Sequence, residues 1–556
     1  MIRRILFACL VALLFTLTLN ARSLREWGAG RLSVAYLNDH LIDERLYFSI
    51  IAKTGQGAAP LGHSSYREHR QDSAAMSMAP VIEGLPMRWL GLSLENTLLI
   101  GDLLWPFVAV FFLTLGLLGM FAGSWIVAGA LALTIMSDIG IYWFRASNPQ
   151  VPIAGSTLWL AIAFLFPAEH AGALFLRGII AGGLTGVHML YASFFIIADG
   201  TLMLLGLLEH RSWRKTLRSG ACYALGLVPF LIPRFFLDVP PEAAADTLAR
   251  VGVIHSRLPA APMMQAMLLG LGIVLFILWW RKTGRPSNRL RLCLALILSS
   301  LIALNQSLIH GWDAIFVAYY TVPLRMVLIL SATVIFLECI KNLTARRVVM
   351  LAVGCLSMLA LWNSVGALAG RQREAADQYA QSDVPKVLTW LRQQPGETLA
   401  IAAPNALNER IPYETPHYVL FNEYGWNQQM TDRELAERYA LQVNLIPSSK
   451  SQDRTYTFVF GGYAGLSSAK QRAFCRIKRT MLRTNDPCTL DARTLIRHQE
   501  LLPMVDNADV NIPEMMKKYH VSFVVTEEPR GLPPGVRGIC KKATTIGTYG
   551  IWSCGR

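Results

Sequence analysis

Two runs of ionisable residues carry the chain's most reactive chemistry. The first is Leu37-Asn38-Asp39-His40-Leu41-Ile42-Asp43-Glu44-Arg45-Leu46-Tyr47, with Asp39, Asp43 and Glu44 as its acids. A carboxylate here can act as a general base that takes the proton of an attacking hydroxyl. It can instead hold a divalent cation, Mg or Mn, through its oxygens. A third reading is structural, because carboxylates are favoured at the start of a helix. The second run is Tyr66-Arg67-Glu68-His69-Arg70-Gln71-Asp72. Glu68, Asp72 or the neighbouring His69 can supply a second acid-base group, and an ordinary exposed loop explains the same residues.

Several cations are placed to meet an anion: Arg145, Arg234, His255, Arg257, His310 and Arg325. Arg325 lies within an apolar run, where a charge is expensive, so it binds an anion or pairs with an acid on another helix. Arg234 can snorkel to an interface with no ligand at all. Arg177 and His188 interrupt apolar runs and read as helix ends. Trp143, Tyr191, Trp312, Tyr319 and Tyr320 fall at span ends and match an interfacial aromatic belt.

The elements that must position these groups follow from composition. The chain has 556 residues, 53% hydrophobic and only 16% charged, with mean hydropathy +0.37. Soluble domains carry about 25% charged residues, so most of this chain faces something other than water. Apolar runs of bilayer length recur near 5–21, 97–117, 122–141, 153–168, 171–187, 189–208, 218–236, 263–280, 290–308, 313–338 and 346–368. They predict eleven transmembrane helices.

The formal net charge of +15 is consistent with nucleic acid or a membrane, and its distribution decides. Arg3 and Arg4 place the N-terminus in the cytoplasm. Alternating the spans then makes 209–217, 281–289 and 339–346 cytoplasmic. Those loops hold Arg211, Arg214 and Lys215; Arg281, Lys282, Arg285 and Arg289; and Lys341 and Arg346. The basic residues therefore set orientation, and nucleic acid is not an expected partner. Residues 1–21 also fit a cleaved signal peptide, which would leave the later orientation unchanged.

Two stretches escape the bilayer, both on the outward side: a loop over 22–96 and a C-terminal domain over 371–556, beside a membrane domain over 1–370. In the C-terminal domain, Val384, Val387, Leu388 and Leu391 have the spacing of an amphipathic helix. Strands are expected at Thr398–Ala403, Thr455–Phe460 and Val521–Thr526, making α/β material. Cys475, Cys488, Cys540 and Cys554 all fall there, an even number in an oxidising compartment. Cys540 and Cys554 flank a hairpin-like run centred near Gly547, which sets them opposite each other and predicts the bridge Cys540–Cys554. Cys475–Cys488 follows by default. No internal repeat, Walker A loop or dinucleotide fingerprint is present.

Taken in order, Leu41-Ile42-Asp43-Glu44-Arg45-Leu46-Tyr47 after the first span, Gly91-Leu92-Ser93-Leu94-Glu95-Asn96 before the second, and Asn305-Gln306-Ser307-Leu308-Ile309-His310-Gly311 before a late one resemble the polyprenol-phosphate-dependent glycosyltransferases of GT-C fold. So does the outward domain, which ends in Tyr549-Gly550-Ile551-Trp552. The resemblance covers most of the chain. It implies a polytopic α-helical protein of the bacterial inner membrane with a periplasmic C-terminal α/β domain. It implies inverting transfer of a sugar from a polyprenyl-phosphate donor to a glycan, lipid or protein acceptor. Asp43 matches the family's first-loop acid, as base or metal ligand, with Glu44 beside it and Asp39 a rival. Glu68, His69 or Asp72 would be the second group; Arg234, Arg325, Arg145 or His310 would hold the lipid phosphate. The competing readings are a lipid or glycan transporter or flippase, expected to line its spans with Asp138, Asp199, Arg177 and Arg325, and an envelope-assembly protein with a periplasmic binding domain.

Overall fold

The structure is a computed structural model. It describes residues 1–37, 42–57, 64–70, 78–121, 124–143, 147–166, 170–210, 212–232, 242–243, 246, 253–255, 262–281, 288–306, 312–314, 321–340, 342–395, 399–422, 430–447, 476–477, 479–481, 483, 511–528 and 531–555.

A helix occupies each of the eleven apolar segments. They are α1 (Ile2–Gly28), α5 (Leu94–Met120), α6 (Trp125–Trp143), α7 (Ser147–Leu165), α8 (Ala171–Val187), α9 (Met189–His210), α10 (Trp213–Leu231), α11 (Pro262–Arg281), α12 (Asn288–Leu304), α13 (Thr321–Cys339) and α14 (Leu343–Gln381). Between the first two of these lie α2 (Val34–Leu37), α3 (Ile42–Gly55) and α4 (Ala79–Leu90). Among the described residues, six helices are long and apolar enough to cross a membrane, and three shorter helices are also apolar. The bundle shares one core, from Phe15 of α1 through Leu113, Ile135 and Trp159 to Leu330 of α13.

Glycine sets the closest helix contacts. A Cβ at Gly178 of α8 would collide with the Tyr223 carbonyl oxygen of α10, and one at Gly226 with the Phe175 carbonyl oxygen. Each helix thus presents its bare backbone to the other, the close packing that small residues permit between membrane helices.

Two helix limits depart furthest from the sequence expectation. The late span expected from 313 begins at Thr321, two residues before Pro323, which fits a first helical turn where its missing N–H costs nothing. Ahead of it, β2 (Trp312–Ala314) pairs antiparallel with β1 (Val253–His255), so two inter-helix loops are stitched together. At the other end, α14 runs on unbroken through residue 371 to Gln381, its N-terminus capped by the Asn342 side chain.

The C-terminal domain holds a five-stranded sheet in the order β4-β3-β5-β7-β6: β3 (Ala400–Ala402), β4 (Tyr418–Val419), β5 (Val521–Glu527), β6 (Cys540–Ile546) and β7 (Tyr549–Cys554). β3 runs parallel to β4 and β5, and the β5–β7–β6 part is antiparallel. Helices α15 (Val384–Arg392), α16 (Asn405–Asn408), α17 (Ile411–Glu414), α18 (Asp432–Leu445) and α19 (Ile512–Lys518) accompany it. Val387, Leu388 and Leu391 of α15 pack on one face with Phe523 and Val525; Leu435 of α18 and Met516 of α19 cover the other with Val524. Alternate residues of β5 thus serve opposite layers, as a strand requires. Cys540 and Cys554 are bonded across the β6–β7 hairpin, whose turn places Gly547 at φ +54°. The expected strand 455–460 and the pair Cys475–Cys488 lie outside the described residues.

Candidate active site

Helix α3 carries the first acidic run. Asp43 and Glu44 stand in its first turn, directly after α1 and α2 in the chain. Its Phe48, Ile51 and Ala52 pack against Leu94 and Leu98 at the start of α5 and against Tyr413 of α17. Phe48 and Tyr413 meet edge to face at 6.0 Å. Helix α3 is therefore wedged between the bundle and the C-terminal domain. Asp39 lies outside the described residues.

Its last turn is tied to the domain by a fully buried lysine. Lys53 Nζ donates to the carbonyl oxygens of His417 at 2.8 Å and Thr415 at 3.2 Å, and lies 4.5 Å above the Tyr418 ring. Burial pulls its amine well below the usual lysine range. Sequence reasoning missed this residue. Its only signal was a lysine at the end of an otherwise apolar helical stripe.

The second run docks on the same surface. The Ser65 carbonyl accepts from the Val419 amide of edge strand β4, at 3.0 Å. Tyr66 Oη accepts from the Asn422 amide at 3.2 Å. Glu68 pairs with Arg438 of α18 at 2.7 Å, and Arg438 also reaches Glu434 at 2.9 Å. The Arg438 guanidinium is wholly buried between the rings of Tyr66 and Tyr519. His69 Nε2 bonds the Glu434 carboxylate at 2.8 Å. Burial pushes Glu434 up, but the His69 hydrogen bond and the Arg438 charge outweigh it and hold the carboxyl at about 2. Glu68 and His69 thus join the first loop to the domain. Asp72 lies outside the described residues.

A third contact comes from the loop before α11, where Asp246 accepts from the Asp432 amide at the start of α18, at 3.0 Å. Described parts of the 22–96 loop, expected outside the bilayer, and Asp246 of the loop before α11 thus meet the C-terminal domain at one end of the bundle. At that end, Gln150 of α7 donates to Asp102 of α5 at 2.6 Å, and Asn20 of α1 donates to the Asp102 carbonyl at 2.7 Å. Asn305 and Gln265 exchange reciprocal amide hydrogen bonds at 3.0 Å between α12 and α11.

Two ion pairs join helices of the bundle, one half-exposed and one buried. Arg325 Nη1 stands 3.5 Å from Asp138 across α13 and α6. Arg177 Nη1 stands 2.9 Å from Asp199, which also accepts from Trp159 Nε1 at 2.8 Å. Both Arg177 and Asp199 are fully buried. Arg177 is therefore mid-helix and not a helix end, because a partner on α9 offsets the cost of burying it. His188 does separate α8 from α9. Tyr191 is buried in the bundle core, with the His188 ring 4.7 Å away, and does not belong to an interfacial belt. Arg145, Arg234 and His310 lie outside the described residues. Among the described residues no three His, Cys, Asp or Glu side chains gather as metal ligands.

No protein-family model matches this chain, and no curated protein does either. Among solved structures, the chain is similar over its whole length to the single-particle cryo-EM structure of arabinofuranosyltransferase AftD from Mycobacteria. The TM-score is 0.51 at 12% sequence identity, and the match covers 40% of that chain. The present chain thus spans well under half of its neighbour's length. At this identity the likeness is one of fold, and it supports the GT-C architecture implied by the sequence resemblance.

Proposed function

We propose that this protein is a membrane glycosyltransferase of the bacterial inner membrane. It moves a sugar from a polyprenyl-phosphate carrier to an acceptor on the periplasmic side, with its N-terminus in the cytoplasm. The observation that supports this reading is the position of α3, the helix whose first turn carries Asp43 and Glu44: its Phe48, Ile51 and Ala52 pack between the start of α5 and α17 of the C-terminal domain, within a fold similar to that of an arabinofuranosyltransferase.

In this reading the acceptor hydroxyl attacks the anomeric carbon while Asp43 takes its proton. The new C–O bond forms as the bond to the carrier phosphate breaks, and the polyprenyl phosphate leaves with the electron pair, so the anomeric centre inverts. An outward arginine, Arg234 or Arg145, neutralises the charge that grows on the phosphate. Arg325 is the weaker candidate, since it already faces Asp138. The carboxylates of this turn are also hard oxygen donors suited to Mg or Mn. The acceptor class, glycan, lipid or protein, is set by the seam between the loops and the domain.

The bundle's paired charges favour transfer over transport. Arg177 and Asp199, both wholly buried, tie α8 to α9, whereas a transporter needs such groups facing its substrate. The reading is tested by supplying purified protein with polyprenyl-phosphate sugars extracted from bacterial membranes and following release of the lipid phosphate. Binding of no such lipid would sink it.

A further inference from the structure

We propose that Lys53 and Arg438 are positioning residues through which the C-terminal domain holds the acid-bearing helix α3 in place. The two cations pin the described parts of the first loop on either side of residues 58–63. Lys53, in the last turn of α3, enters the domain at Thr415 and His417. Arg438, on α18, reaches out from the domain to Glu68. Between them Ser65 and Tyr66 follow the domain backbone at Val419 and Asn422. Residues 415–422 thus form one continuous dock for a segment more than 350 positions earlier in the chain.

Burial is what makes these two contacts hold. Long cationic side chains ordinarily keep their charged ends in water. Here both ends are wholly buried: Lys53 donates across the seam to two domain carbonyls, and Arg438, held within the domain by Glu434 and the Leu420 carbonyl, donates across it to Glu68. Separating loop and domain therefore leaves Lys53 without its domain acceptors and Glu68 without its cation. On its own side of the seam Lys53 Nζ reaches Gln56, at 3.3 Å. A rigid helix transmits this anchor: Asp43 is ten residues back from Lys53, about 15 Å along the axis at the helical rise. The consequence for catalysis rests on reading Asp43 as the base; the mechanical claim does not.

Hydrogen–deuterium exchange on the full-length protein in lipid nanodiscs tests the mechanical claim without substrate. In Lys53→Met, amides 42–57 should exchange about tenfold faster or more, while β5, β7 and α5 exchange as in wild type. Unchanged exchange in 42–57, or equal acceleration everywhere, would overturn the proposal. Arg438→Met should likewise speed exchange of amides 64–70, the segment bearing Glu68, and unchanged exchange there would overturn the part assigned to Arg438. With synthetic polyprenyl-phosphate pentoses and hexoses as donors, Lys53→Met should lower kcat and leave the donor KM unchanged; a raised donor KM with kcat intact would overturn the positioning role. If wild type transfers none of these sugars, the glycosyltransferase reading fails and the exchange result still decides the anchor.

Discussion

Arg438 Nη2 lies 2.7 Å from Glu68 Oε2, across 370 residues of sequence, with the guanidinium sealed between Tyr66 and Tyr519. This pair closes the seam between the first loop and the C-terminal domain. Replacing Arg438 by Leu leaves Glu68 and Glu434 without their shared cation. The expected loss is about 3–5 kcal/mol, the cost of breaking a buried ion pair from one side. Thermal unfolding of the purified protein should show a markedly lower midpoint, and removing Glu68 at the same time should cost less than the sum of the single changes.

The same network gives stability a sign in pH. Glu434 is held at about 2 against an ordinary 4.5. A depressed carboxyl stabilises the fold above its unfolded pKa and loses that contribution as pH falls through its folded one. Stability should therefore drop between about pH 4.5 and 2. Glu434→Gln should flatten that limb of the curve while lowering stability at neutral pH. An unchanged acid limb in the variant would show that Glu434 does not titrate in this way.

The hairpin bridge should matter to the domain alone. Cys540 and Cys554 close a loop with a sequence separation of 14, for which removal of the bond costs about 3 kcal/mol. Non-reducing peptide mapping should recover the two cysteines as one linked species. Reduction, or Cys540→Ser with Cys554→Ser, should lower the domain's unfolding midpoint and leave α8 and α10 packed as before.

Inside the bundle, Gly178→Ala should destabilise because its new methyl meets the Tyr223 carbonyl on α10. Gly183→Ala, farther along the same helix with open space around it, should be near neutral. Equal effects would show that α8 and α10 do not pack through bare backbone.

The helices were legible in the sequence because an apolar run of bilayer length, even one holding a single charge such as Arg177 or Asp199, buries itself most cheaply as a helix, and a helix is found at each. The hairpin was legible because Cys540 and Cys554 sit symmetrically about Gly547. Partnership was not. Nothing in the spacing of Arg177 announces Asp199, 22 residues on and one helix away, nor does Lys53 announce the carbonyls of Thr415 and His417. Glu68 and His69 stood out as polar residues, but their partners Arg438 and Glu434 are on the far side of a domain boundary. Periodicity fixes which face is buried; it says nothing about which distant element covers that face.

The assignment of the base to the first turn of α3 stands or falls on one substitution. Asp43→Asn keeps the size of the side chain and removes the proton acceptor. Initial rates of lipid-phosphate release from polyprenyl-phosphate sugars should fall by about 100-fold or more, with the unfolding midpoint and donor binding unchanged. Transfer at the wild-type rate would contradict the assignment and remove Asp43 from the mechanism.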